Sequence, residues 1–143
     1  MLIHGKCHCG NIVIEMDWTG DWPEVPARAC GCSFCIKHGA VWTAHPDARL
    51  AVIIHDAALA SKYAFGTRTA VFHVCAQCGG VPLATSEIGD SLYAVVNVNT
   101  LEGLDQSRLR KAAVDFDDES LESRLARRKR NWISHVRITE NGA

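Results

Sequence analysis

Seven cysteines fall into three short groups, and this grouping constrains the chain more than any other feature. Cys7-His8-Cys9 is the first group, Cys30-Gly31-Cys32-Ser33-Phe34-Cys35 the second, and Cys75-Ala76-Gln77-Cys78 the third. An odd number of cysteines excludes complete pairing within the chain. The segment Met1–Lys6 reaches a cysteine without an apolar core of the kind a secretory signal needs. No stretch approaches the roughly 20 apolar residues that cross a bilayer. The expectation is therefore a cytoplasmic protein with no membrane partner. In that reducing setting, clustered cysteines bind metal or do redox chemistry more often than they form disulfides.

Zinc is held by four soft or borderline ligands, all from protein in a structural site and one position left open in a catalytic site. Cys75-x-x-Cys78-Gly79-Gly80 and Cys7-x-Cys9-Gly10 are two-ligand knuckles. The glycines that follow permit the left-handed backbone that aims amide groups at sulfur. Each knuckle precedes a strand-like run, so the spacing predicts one closed site from Cys7, Cys9, Cys75 and Cys78, with adjacent strands bringing the turns together. Cys30, Cys32 and Cys35 remain for a second site, whose fourth position must come from histidine, water or an external ligand. Closure by His38 would make it inert, and a Cys32–Cys35 redox pair is a further alternative. A site of three thiolates is a weaker Lewis acid than one of three histidines and is suited to taking up an outside thiol. His8 is expected to point away from the metal, and His73, within an apolar strand, to be a satisfied core residue. Phe34 and Trp42 are candidates for a pocket wall or for core packing.

With 48% hydrophobic residues, the 143-residue chain can bury a core as a single domain, residues 1–143. Fifteen Lys+Arg against sixteen Asp+Glu leave a net charge of −1, without the basic excess of a general nucleic-acid binder. Short runs rich in β-branched and aromatic residues occupy Asn11–Trp18, Val41–Ala44, Leu50–His55, Lys62–Phe65, Val71–Val74, Val81–Ala84 and Leu92–Val98. They predict a mainly β domain of small, mostly antiparallel sheets. In the first run Ile12, Ile14, Met16 and Trp18 share one side. The tail carries acids at 115–122 and bases at 124–130, an order that suits the helix dipole and predicts one C-terminal helix near 119–131. A last strand is expected at Ile133–Thr139. The basic run reads as a solvated helix end.

Three ordered motifs, Gly5-Lys6-Cys7-His8-Cys9-Gly10, Cys30-Gly31-Cys32-Ser33-Phe34-Cys35 and Val74-Cys75-Ala76-Gln77-Cys78-Gly79-Gly80, resemble the glutathione-dependent formaldehyde-activating enzyme family. The resemblance covers about residues 3–105 and leaves an extension at 106–143. It implies a β-tent fold and two zinc ions per chain. The structural ion would sit on Cys7, Cys9, Cys75 and Cys78, the catalytic ion on Cys30, Cys32 and Cys35. It further implies a carbon–sulfur lyase that condenses formaldehyde with glutathione to S-hydroxymethylglutathione, or acts on a related small thiol and small aldehyde. The alternative is a non-enzymatic zinc-binding interaction module presenting an exposed basic helix end. A sulfoxide reductase would need a lone nucleophilic cysteine outside the knuckles, and no cysteine follows Cys78. The residues leave the oligomeric state unassigned.

Overall fold

The computed structural model describes residues 1–18 and 24–141. In chain order the elements are β1 (Leu2–Lys6), β2 (Ile12–Asp17), β3 (Val25–Cys30), α1 (Ser33–His38), β4 (Val41–Thr43), β5 (Arg49–Ile54), β6 (Ala60–Tyr63), β7 (Val71–Cys75), β8 (Leu83–Ile88), β9 (Ser91–Asn97), β10 (Leu101–Glu102), β11 (Leu109–Val114), α2 (Leu121–Asn131) and β12 (His135–Glu140). They form a five-stranded sheet of order β10-β1-β2-β5-β12 and a seven-stranded sheet of order β11-β3-β4-β9-β8-β7-β6. The mainly β expectation is borne out.

Alternation builds the core. On β2, Ile12, Ile14 and Met16 are fully buried while Glu15 and Asp17 are exposed, as the period of two requires. β5 repeats this with Leu50, Val52 and Ile54, paired in register with Met16, Ile14 and Ile12. The seven-stranded sheet adds Val25, Ala27, Leu83, Ala94 and Val96 to the same core. At Gly5 two elements approach too closely for a side chain. A Cβ there would lie 2.7 Å from the Thr100 carbonyl oxygen and 2.9 Å from Ile14.

All eight expected strands, the last at Ile133–Thr139 included, are present with ends shifted by a few residues. Four further strands, β1, β3, β10 and β11, carry glycine, proline or charged residues that mask them in the sequence. Pairing with neighbours, more than intrinsic preference, makes them strands. The sheets are mostly antiparallel, as expected, and two pairings are parallel: β11 with β3 and β12 with β5. Both added strands come from the tail, and the long connections they follow are what parallel neighbours require.

The C-terminal helix is found as α2. The Ser120 hydroxyl caps it by accepting from the Ser123 amide at 3.1 Å, with Glu122 in the first turn and Arg128, Lys129 and Arg130 in the last. The short helix α1, not expected from the sequence, begins where the Cys32 sulfur accepts from the Cys35 amide at 3.4 Å. It ends at Gly39, whose φ of 62° is the left-handed geometry of a C-terminal cap. No helix among the described residues is long and apolar enough to cross a membrane.

His73 is the satisfied core residue expected. It is 5% exposed, and its Nε2 shares a 2.8 Å hydrogen bond with the Thr85 hydroxyl. Burial pushes its pKa down to about 4.

Two predictions follow from these contacts. Gly5→Ala should lower stability by about 1–3 kcal/mol, because the Thr100 carbonyl is backbone and must shift. A urea midpoint measurement checks it. Because the folded pKa of His73 lies below the unfolded value, its contribution is complete above about pH 6.5 and is lost as pH falls toward 4. The stability difference between the native protein and His73→Asn should therefore change over this window, by at most about 1.4 kcal/mol per pH unit. Parallel pH-dependent urea melts read that slope.

Candidate metal centres and the adjoining cavity

The first and third cysteine groups meet. Cys7 and Cys9 lie in the turn from β1 to β2, on the five-stranded sheet, while Cys75 ends β7 and Cys78 lies in the turn that follows it, on the seven-stranded sheet. Their Sγ atoms all fall within 4.8 Å of one another. The turns therefore come from different sheets, correcting the expectation of adjacent strands. Gly10 (φ 85°) and Gly79 (φ 79°) adopt the left-handed backbone of the two knuckles. Amides aim at sulfur: Ile12 N–H donates to Cys7 Sγ at 3.3 Å and Cys78 N–H to Cys75 Sγ at 3.5 Å. A Cβ on Gly80 would lie 3.0 Å from the Cys7 Cβ, so glycine lets the knuckles close on each other.

The second group forms a separate cluster. Cys30 ends β3, Cys32 caps α1 and Cys35 lies in its first turn, with the three Sγ atoms again within 4.8 Å. The Gly31 amide donates to the Val114 carbonyl at 2.8 Å, anchoring the loop on β11. Trp42 on β4 donates its Nε1–H to Cys35 Sγ at 3.3 Å. A hydrogen bond from Cys35 holds the Cys30 thiol down to about 6, against the opposing effect of burial. The same bond, together with burial, pushes Cys35 upward.

Both clusters fit a metal ion by donor chemistry and spacing. Tetrahedral thiolates about 2.3 Å from a zinc ion sit about 3.8 Å apart. Cys7 and Cys9 sulfurs are 3.8 Å apart, and Cys9 and Cys75 are 3.4 Å apart. All seven cysteines are free thiols. The first cluster supplies four donors and the second three. Among the described residues, no histidine or carboxylate joins the three. His38 is exposed, its ring stacked on Phe34 and its Nδ1 on the Phe34 carbonyl at 3.0 Å, away from the role of a fourth ligand. His8 is exposed, outside the four-sulfur group.

Cys30, Cys32 and Cys35 open onto a cavity of about 170 Å³. Its floor is one face of the seven-stranded sheet, where register sets Phe72 beside Ala84, Ala84 beside Val95, and Trp42 beside Arg28. Phe72 belongs to an aromatic group with Phe34 (centroids 4.3 Å apart) and Phe65 (5.6 Å). Trp42 thus lines the cavity, and Phe34, which is not among its lining residues, packs on Phe65 and Phe72, which are.

The roof is α2, which contributes Arg124, Arg127 and Arg128, together with Trp132 at its C-terminal cap. The basic run is consequently not a solvated helix end over its first half, correcting that reading. Arg124 and Arg127 are half-buried and Arg128 is 6% exposed, while Lys129 and Arg130 face solvent. The sequence does not reveal these arginines, because a net charge near zero favours a solvated helix end and nothing local marks an inward turn. Arg128 Nη1 donates to the hydroxyls of Thr69 (2.9 Å) and Ser86 (3.1 Å), pinning α2 to β8. Glu119 takes both Nε and Nη2 of Arg127 at 3.0 Å. Its carboxyl is held below the usual range, first by that hydrogen bonding. The exposed basic face that an interaction module would present is reduced to the last residues of α2.

The family model described as glutathione-dependent formaldehyde-activating enzyme matches residues 2–116. That span holds all seven cysteines and runs through β11, beyond the limit at residue 105 expected from the motifs. α2 and β12 lie outside it. A solved structure of a Rhodobacter sphaeroides protein is similar, with 33% identity and a TM-score of 0.53 over 72% of this chain and 91% of that one. No curated protein matches.

Removing the indole donor with Trp42→Phe should weaken metal binding at the three-cysteine cluster by about 10–100-fold, leaving the four-cysteine cluster loaded. Competition against a chromophoric chelator separates the two. Cys75→Ser should abolish cooperative thermal unfolding, whereas Cys30→Ser should leave it intact, because a closed site carries folding free energy. Far-UV circular dichroism melts make that comparison.

Proposed function

The chain belongs to the glutathione-dependent formaldehyde-activating enzyme family, and on that premise we propose that it is a zinc-dependent carbon–sulfur lyase. Its reaction is the joining and parting of a small thiol and a small aldehyde, with glutathione and formaldehyde as the pair and S-hydroxymethylglutathione as the adduct. In the condensing direction one bond forms, between the thiol sulfur and the carbonyl carbon. The proton lost by the thiol ends on the former carbonyl oxygen, so no oxidant or reductant is needed.

In this reading Cys7, Cys9, Cys75 and Cys78 hold a structural zinc and Cys30, Cys32 and Cys35 a catalytic one, within one cytoplasmic domain. Zinc bound by three thiolates would supply a soft acceptor position that favours thiolate over thiol near neutral pH. The chain does the rest. Trp42 fixes the Cys35 sulfur through its indole N–H, and the Cys35 amide orients Cys32. Phe72, Ala84 and Val95 make an apolar floor that keeps water from competing with the carbonyl.

The observation that carries the reading is the unequal donor count. Four sulfurs gather at one place and three at another, and the three lie on a cavity wall. Metal analysis and exchange-rate NMR test it together. The native protein should hold two zinc ions and speed S-hydroxymethylglutathione formation above the spontaneous rate. The triple variant Cys30→Ser, Cys32→Ser, Cys35→Ser should stay folded, lose one of the ions and return the rate to the spontaneous value. A triple variant that keeps both ions, or that still accelerates exchange, sinks the proposal.

A further inference from the structure

The cavity beside the three cysteines is rich in guanidinium groups that its own acids do not neutralise. Arg28 from β3 and Arg124, Arg127 and Arg128 from α2 all line it. Two are occupied. Arg127 is held bidentately by Glu119, and Arg124 spends Nη2 on the Phe116 carbonyl at 2.8 Å with Glu119 3.6 Å from its Nε. Two are not. Arg128 is more than nine-tenths buried, and only hydroxyls meet its Nη1, while its Nε has no hydrogen-bond partner among the described residues. Arg28 is half-buried and makes no side-chain hydrogen bond or ion pair among the described residues. Asp117 also lines the space but is exposed, on the side of Cys30.

Burying a cation without an anion is costly unless something arrives to pair with it. A guanidinium presents a planar fork that matches a carboxylate or phosphate. We propose that Arg28 and Arg128 form an anion subsite, roofed by the segment beyond the family-matched residues, that holds the acidic group of a thiol whose sulfur reaches Cys30, Cys32 and Cys35. The proposal rests on the thiol reading above, in which glutathione already carries carboxylates, and adds the residues that hold the acidic group of the thiol. α2 is then a specificity element, and Asp117 keeps the anion toward the β3 and α2 side of the cavity. Burial and the nearby Arg127 and Arg124 lower the Arg128 pKa to about 10, and the attraction of a bound anion would oppose that shift.

Calorimetric titration of the full chain carrying its metal tests this with 3-mercaptopropionate, 2-mercaptoethanol, propionate and inorganic phosphate as probes. The acidic thiol should bind at least about tenfold more tightly than the neutral one, the scale of one charge-assisted pair. Arg28→Met should erase that preference while leaving 2-mercaptoethanol unchanged. Lys129→Met, on the exposed part of α2, should preserve it. Arg128→Lys keeps a charge for the α2 anchor while removing the fork, so a reduced preference in a folded variant supports the subsite. Phosphate competing better than propionate assigns a phosphate-bearing thiol, and the reverse assigns a carboxylate. Equal affinity for the two thiols, or a preference that survives Arg28→Met, overturns the subsite. Propionate binding that needs Arg28, with no gain from adding a thiol, keeps the subsite and instead removes the thiol reading.

Discussion

Four sulfurs at the junction of two sheets are the constraint on which the rest of the structure depends. Cys7 and Cys9 turn β1 into β2, Cys75 and Cys78 turn β7 into β8, and the two turns belong to different sheets. A metal ion shared by all four would fasten the sheets at one end, as a closed site contributes directly to folding. The local chemistry serves that approach. Gly80 lets the Cys7 side chain come close, and amides of Ile12 and Cys78 point at sulfur where thiolate charge must be stabilised.

With the two cysteine turns meeting at one end, the two faces of the seven-stranded sheet are free for different tasks. On β3, Val25 and Ala27 enter the core, while Arg28 and Cys30 face the cavity. On β8, Leu83 and Thr85 pack inward, and Ala84 and Ser86 meet the cavity floor and α2. The strand period of two thus places a cysteine and a guanidinium on one side without disturbing the apolar layer behind them. The tail then wraps both sheets. β11 extends the seven-stranded sheet, α2 covers its outer face through Arg128, and β12 joins β5 in the five-stranded sheet. Ile133 is locked to Ala94 by a reciprocal pair of backbone hydrogen bonds, which fixes where α2 ends.

Some of this was legible because it is local. The alternation of β2, the acid-to-base order of α2 and the core position of His73 follow from periodicity and side-chain chemistry over short stretches. β3 was not legible, since Pro26 and Arg28 disguise a strand that exists by pairing with β4 and β11. α1 escaped notice because its cap is a cysteine sulfur, a signal easily assigned wholly to metal binding.

The inward turn of Arg128 is the sharpest contrast. Its side chain lies against Thr69 and Ser86, residues 59 and 42 positions away, and no pattern within 115–130 refers to them. By itself the amino-acid order determined the donors and their division into four and three, because ligand identity and knuckle spacing are short-range properties. Only the tertiary structure decided which sheets the four-cysteine cluster would bridge, and that arginines would line the cavity beside the three-cysteine cluster. Those outcomes depend on which distant backbones pair and which buried polar groups they leave to be satisfied.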